Sequence, residues 1–340
     1  MDLPTLGTAK TILIAPLNWG LGHAMRMIPV IDFYKSKHRV ILVGEKEILA
    51  LWKQYYPNLE KVEINSGFQV NFDIHFFSVF RLFSFLRKLQ TLERHDLNKA
   101  IQLQKEFNAD IIISDNRYGF YTSKTKNILV THQLAPILPA RYKIFQSLVR
   151  KNILKKIQVF DECWVPDEEY EMGLSGKLSH LSVMPQNVKF IGFLSRFENT
   201  DTQANNSQYF DIVVILSGPE PQRSLFEQRI VRWLKNKPFS VAVFQGKQFQ
   251  SVVREMANIT FFSNVDDISF LQLVKRAKLV VARAGYSTIM DLNILQKKAI
   301  LIPSPQQTEQ EYLAEHLKNN TLFTTISEQQ LQSLDIETLF

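Results

Sequence analysis

The residues of this chain that can do chemistry sit just after short apolar runs. Gly20-Leu21-Gly22-His23 follows Thr11-Ile12-Leu13-Ile14-Ala15, Asp115-Asn116-Arg117 follows Ile111-Ile112-Ile113-Ser114, and His132-Gln133 follows Ile128-Leu129-Val130-Thr131. Imidazoles and carboxylates are the usual general acids and bases, so His23, Asp115 and His132 are candidates for proton transfer or for holding an acceptor. Asn18, Gly20 and Gly22 share the loop of His23, and the two glycines let a ligand approach the backbone closely. The competing reading is local: polar loop residues also cap helices, and here they would pair with Arg117.

A second set lies further along. Arg283-Ala284-Gly285-Tyr286-Ser287-Thr288 follows the apolar run Leu279-Val280-Val281-Ala282 and opens a helix with Asp291 near its start. Ala299-Ile300-Leu301-Ile302 then ends at Pro303-Ser304-Pro305 and a polar run, Gln306-Gln307-Thr308-Glu309-Gln310-Glu311. Free helix-start amides attract phosphate. A carboxylate one turn further in accepts hydrogen bonds from a ribose diol, and Glu or Gln side chains hold sugar hydroxyls. Together these residues describe a nucleotide-sugar site; the bland alternative is an ordinary βαβ unit with a polar loop. The Gly20-x-Gly22 loop is not a dinucleotide fingerprint, because its spacing is wrong and the next strand carries no suitable acid.

Strand, loop and helix in repetition position these groups. The pattern predicts a doubly wound α/β fold whose ligands sit beyond the carboxyl ends of parallel strands. A helix is expected from Ala24 to about Lys37, with Met27, Val30, Ile31 and Tyr34 inward. Residues 196–208 are polar and aperiodic and read as a linker. The pattern then restarts at Asp211–Leu216, with Ser217–Arg223 as its loop, and Ser240–Phe244 leads into Gln245. Two Rossmann-like domains, 1–195 and 209–340, are expected, with the site in a cleft between them.

With 340 residues the chain is long enough for two cores. Its single cysteine, Cys163, excludes an internal disulfide. The amino terminus lacks the form of a secretory signal, and no apolar run reaches the ~20 residues a bilayer span needs, so a cytoplasmic protein is expected. The basic excess is uneven: residues 1–204 hold 26 Lys/Arg against 20 Asp/Glu, and residues 205–340 hold 14 against 13. Two stretches account for it, the Phe-rich 72–88 and 141–156; the latter carries Arg141, Lys143, Arg150, Lys151, Lys155 and Lys156 without an acid. Basic amphipathic helices of this kind can rest on an anionic membrane surface, here the inner face of the cell membrane. Nucleic acid is not expected, since no recognised binding motif accompanies the charge.

Arg283–Thr288 with Asp291, then Pro303 and Glu309-Gln310, resembles the donor motif of glycosyltransferase family 28, whose MurG-type members move N-acetylglucosamine to a lipid-linked acceptor. Gly20–His23 matches that group's first-strand loop in place and order, and related loops occur in the UDP-sugar hydrolase of pseudaminic acid synthesis. Ser114–Arg117, Thr131–Leu134 and Leu216–Arg223 extend the resemblance, to a bacterial branch of such proteins, over nearly the whole chain.

The resemblance implies a GT-B fold with the donor held mainly by the second domain and the acceptor side on the first. It places Asp291 on the ribose, where MurG-type enzymes carry Glu, and Ser287 and Thr288 at the diphosphate beside Gly285. It places Glu309, Gln310 and Glu311 near the sugar, and Asn264 and Val265 at the base. Ser217, Gly218 and Arg223 would line the diphosphate, with Gln245 on the same donor side; Asn18, Asn116, Arg117 and His132 would face the acceptor. Pro219-Glu220 departs from the family's glycine-rich run, and a carboxylate there is unfavourable near phosphate unless Arg223 pairs with it.

The expected reaction is inverting transfer from an NDP-sugar, UDP-linked as in the family, to a glycan or lipid-linked acceptor, with no cofactor. No Asp-x-Asp pair is placed to bridge the diphosphate through a metal. His23 is the first candidate for the base and Asp115 the second. Hydrolysis of the same donor and non-catalytic binding are the alternatives.

Overall fold

A computed structural model describes residues 1–65, 79–170, 172–198, 209–246, 253–263 and 265–339. Asn264, most of the expected linker and the Phe-rich segment up to residue 78 lie outside the described residues, as do the side chains of 79–86. The chain divides into two units, Met1–Leu194 and Ser195–Phe340.

In the first unit the elements run β1 (Thr11–Pro16), α1 (Leu21–Arg26), α2 (Ile28–Tyr34), β2 (Arg39–Gly44), α3 (Lys46–Tyr55), β3 (Glu60–Glu63), α4 (Val79–Phe107), β4 (Ile111–Asp115), β5 (Lys126–Val130), α5 (Gln146–Ile157), β6 (Glu162–Val165) and β7 (Val188–Phe190). The seven strands form one parallel sheet in the order β3-β2-β1-β4-β5-β6-β7. The strand runs are apolar almost end to end because helices cover both faces. Ile12, Ile14, Ile111 and Ile113 pack with Met27, Tyr34 and Trp52 on one face, while Leu13, Ala15 and Ile112 pack with Ala100, Leu103 and Phe120 on the other.

The single helix expected over 24–37 is two helices, broken at Met27. Pro29 sits in the first turn of α2; it has no N–H to continue the ladder of the preceding turn, and its ring fits a helix start.

The second unit continues with β8 (Ile212–Ile215), α6 (Gln222–Leu234), β9 (Val241–Phe244), β10 (Val253–Met256), β11 (Ile259–Phe262), α7 (Asp267–Arg276), β12 (Leu279–Arg283), α8 (Tyr286–Ile294), β13 (Ala299–Ile302), α9 (Thr308–His316) and β14 (Phe323–Thr325). Its sheet order is β10-β11-β9-β8-β12-β13-β14, parallel apart from the β10–β11 pair. Both units therefore follow one plan, two seven-stranded α/β sheets. Strand order reverses between β1 and β4 in the first and between β8 and β12 in the second. At such reversals the connecting helices leave to opposite faces, which opens a crevice at the carboxyl ends.

Candidate functional site

The first reversal gathers the titratable residues. Pro16 pairs with Asp115 across β1 and β4, so the loop after β1 and the last residue of β4 share one edge. Gly20 opens that loop's helix at φ +116°, a conformation that disfavours any side chain, and His23 follows in the first turn of α1. His23 Nδ1 lies 3.0 Å from Asp115 Oδ2. Arg26, one turn further on, donates from Nε to Asp115 Oδ2 at 2.9 Å and from Nη2 to Oδ1. Arg26 Nη1 also reaches His132 Nδ1 at 3.4 Å. Asp115 and Arg26 are buried, whereas the side chain of His23 keeps 18% of its surface.

Burial by itself raises a carboxyl's pKa, but Arg26 and then His23 outweigh it and hold Asp115 below its ordinary value. His23 Nδ1 is also 3.0 Å from Arg26 Nη2, and the two neighbours ask for opposite tautomers. The guanidinium is already turned to both carboxylate oxygens, and Nδ1–H to a carboxylate is the charge-assisted bond, so the proton belongs on Nδ1. That leaves Nε2 as the basic nitrogen, with no hydrogen bond among the described residues.

Other residues expected at this edge are engaged elsewhere. Asn18 donates to Glu45 Oε2 at 2.8 Å. Arg117 is turned away: it makes a buried two-point pair with Asp96 of α4 and lies over the Phe120 ring. Asn116 adopts a left-handed φ of 53°, and its Oδ1 is buried without a partner. Gly22 is exposed on α1.

At the second reversal no side chain caps the helix start. Gly285 precedes α8, and no acid sits in its first turn. Among the described residues, a Cβ built on Gly285 would meet nothing within 4 Å. Ser287 and Thr288 in that turn are partly buried. Asp291 lies one turn on, where Ser195 donates to its Oδ1 at 2.6 Å. Burial pushes its carboxyl up to about 6, against the pull of Arg196 and the Ser195 hydrogen bond, with Asp267 adding to the rise.

The loop after β8 contrasts with this. Ser217 and Gly218 lead into Glu220, which accepts from Arg223 Nε at 3.1 Å and from the Ser224 amide at 3.2 Å. Arg223 Nη1 donates to the Gly246 carbonyl at 3.3 Å. Glu220 is thus paired as its position requires, and it occupies the Ser224 amide of α6 itself. Of the remaining donor candidates, Gln245 is locked between Glu227 at 2.9 Å and Ser263 at 3.2 Å. Gln310 accepts from the Ser304 amide and Glu311 from the Gln306 amide, each at 2.8 Å. Glu309 and Val265 are partly buried.

Sequence reading missed Arg26, Ser195 and Arg196. Arg196 pairs with Asp267 at 3.1 Å and lies over Phe197 and Phe270. Only the helical spacing of Arg26 from His23 offered a signal. Arg283, part of the expected donor motif, is buried; it pairs with Glu328 at 2.5 Å and donates to the Pro303 carbonyl at 3.2 Å, fixing the loop after β13. Among the described residues no three His, Cys, Asp or Glu side chains come together as metal ligands.

Residues 213–339 match the glycosyltransferase family 28 C-terminal domain. No curated protein matches the chain. Among solved structures, the glycosyltransferase of kitacinnamycin is 13% identical at a TM-score of 0.64, covering 98% of this chain and 91% of that one. MurG of Acinetobacter baumannii is 12% identical at 0.55, covering 97% and 91%. A putative UDP-N-acetylglucosamine 2-epimerase from Listeria monocytogenes is 10% identical at 0.62, covering 98% and 88%. At such identities the likeness shows the fold, which is GT-B.

Proposed function

We propose that this GT-B chain, whose second unit carries a glycosyltransferase family 28 C-terminal domain, is an inverting, metal-independent glycosyltransferase. It moves a hexose or N-acetylhexosamine from an NDP-sugar, with UDP the first nucleotide to test, to an acceptor hydroxyl. The observation that carries this reading is the His23–Asp115 pair at the β1/β4 reversal, whose Nε2 has no hydrogen bond among the described residues.

In this reaction His23 Nε2 takes the acceptor's hydroxyl proton. The acceptor oxygen bonds to the anomeric carbon, and the bond from that carbon to the diphosphate oxygen breaks, so the nucleoside diphosphate leaves with the bonding pair. Amides at the start of α8, which no side chain caps, meet the growing charge, while Asp291 receives the ribose hydroxyls. Asp115, buried and ionised, orients the imidazole.

A thermal-shift screen of UDP-, dTDP- and GDP-sugars tests donor binding, since a ligand of the folded state raises Tm by mass action. Failure of every nucleotide sugar to shift Tm overturns the reading. Diphosphate release unchanged by EDTA is expected. Multiple-turnover UDP release from UDP-N-acetylglucosamine without acceptor would instead assign hydrolysis, with water in the acceptor's place.

For the acceptor we favour a lipid-linked glycan at the inner face of the cell membrane. A 3-10 turn over Ala140–Phe145 and the following α5 expose Ile144 (83%), Leu148 (66%) and Phe145 (40%). Arg141, Lys143 and Lys151 stand exposed in the same stretch. Apolar side chains ringed by cations suit an anionic bilayer surface. None of the described helices is long and apolar enough to cross a membrane. Flotation with phosphatidylglycerol vesicles should be lost in Ile144→Glu/Leu148→Glu; equal flotation of that variant removes the surface from the proposal.

A further inference from the structure

We infer that Arg26 is a positioning residue that sets which nitrogen of His23 carries the proton, by keeping Asp115 ionised inside the protein. The inference rests on the reading of His23 as the base, but its test needs no substrate.

Asp115 is fully enclosed at the end of β4, where a lone carboxylate would take up a proton rather than bear the loss of water. Three polar groups act on it, Arg26 and His23 from α1 and Tyr118, which senses its charge; His132, from the loop after β5, meets Arg26. Of these only arginine carries a permanent charge. Its guanidinium spans both carboxylate oxygens through Nε and Nη2, so the acid stays an acceptor-only group. An acceptor-only Asp115 calls for N–H on His23 Nδ1 and leaves Nε2 basic. A protonated Asp115 could donate to Nδ1 instead, moving the imidazole proton to Nε2 and removing the lone pair that takes the acceptor's proton. Arg26 Nη1 also lies 3.4 Å from His132 Nδ1, and its Nη2 lies 3.0 Å from His23 Nδ1; with the fork committed to both carboxylate oxygens, the charged acceptor decides the His23 proton.

The test is NMR on the full chain without ligand, with 15N-histidine reporting the tautomer of His23 and 13C-labelled aspartate reporting the Asp115 carboxyl. Loss of each signal in His23→Gln and Asp115→Asn assigns it. The unaltered protein should show His23 as the Nδ1–H tautomer at pH 8 with Asp115 ionised. In Arg26→Gln the Asp115 midpoint should rise by about one pH unit or more, and the His23 signal should move toward Nε2–H. Arg26→Lys replaces the fork with one ammonium and should give an intermediate Asp115 midpoint; it also serves if the glutamine variant does not fold. A Lys variant whose midpoint matches the unaltered protein, or a folded Gln variant with Asp115 ionised and Nδ1–H retained, overturns the inference. A purely structural arginine would alter Tm and leave both signatures in place. Both signatures retained in Arg26→Gln, with nucleotide-sugar binding intact, would fault the role of Arg26 without touching glycosyl transfer; both lost in that variant, with no nucleotide sugar bound by the unaltered protein, would fault the transfer alone.

Discussion

The two strand-order reversals share a topology and differ in chemistry. At the β1/β4 edge every ionisable group is wired to another: His23 and Arg26 to Asp115, and Arg26 onward to His132. At the β8/β12 edge the start of α8 has no capping side chain and open space before it, and the site's carboxylate sits at a raised pKa. Proton transfer needs fixed tautomers and matched charges, which demand internal partners. Ligand capture at a helix start needs amides that no side chain caps. On the proposed function the first edge reacts and the second holds the donor.

Removing the base should separate these tasks most sharply. His23→Ala should lower turnover by on the order of 10²- to 10⁴-fold while the Tm shift produced by UDP-sugar stays within a degree or so of the unaltered protein's. Turnover retained in this variant would remove the first edge from the chemistry.

Gly285→Val attacks the second edge from the opposite side. Its backbone is ordinary, φ −81°, and space for a Cβ is open, so folding should change little. The branched side chain would instead stand where the diphosphate must approach. Donor-induced stabilisation should disappear while the Tm of the free protein moves by only a few degrees; full donor binding would place the phosphates elsewhere.

A smaller effect is expected from pH. The Asp291 carboxyl rises from 3.8 in the unfolded chain to about 6 in the fold. Between those values the folded state holds a proton that the unfolded state has lost. The stability this confers is fully present below pH ~4 and is lost as pH rises through 6, by at most ~3 kcal/mol. If Asp291 receives the ribose as proposed, binding needs the ionised acid and should weaken below pH 6. Asp291→Asn should abolish the stability slope, leave the protein more stable at pH 7 and weaken UDP-sugar binding there. Denaturation and calorimetric titration between pH 4.5 and 8 check both signs.

The slightest change should come from Glu220→Gln. The Glu220–Arg223 pair is largely solvent-facing, so stability should move by less than ~1 kcal/mol. A negative charge leaves the donor edge and Arg223 loosens, so UDP-sugar affinity should rise, by less than about tenfold. Weaker binding would show that Glu220 itself serves the donor.

Local pattern reached far into the fold. Runs such as Ile111–Ile113 and Leu279–Ala282, each followed by polar turn residues, announce buried parallel strands without reference to any partner. The sheet edge on which His23 and Asp115 lie, and the one that carries Gly285 and Asp291, follow from that repetition alone. The broken helix at Met27 was half legible, since Pro29 stood in the sequence as a reason for it.

What neighbours a residue meets was not legible. Arg117 and Arg26 are both arginines beside catalytic candidates, yet Arg117 pairs with Asp96 on α4 and Arg26 with Asp115. Gln245 ended a strand as a donor residue should, and Glu227 took its amide. Sequence by itself determined the elements, their order and the end of the sheet that carries polar groups, because backbone geometry and apolar periodicity act over a few residues. Tertiary structure alone decided which of those groups are consumed and which stay available, because hydrogen bonds and ion pairs form between residues such as Ser195 and Asp291, brought together only when each sheet closes over its helices.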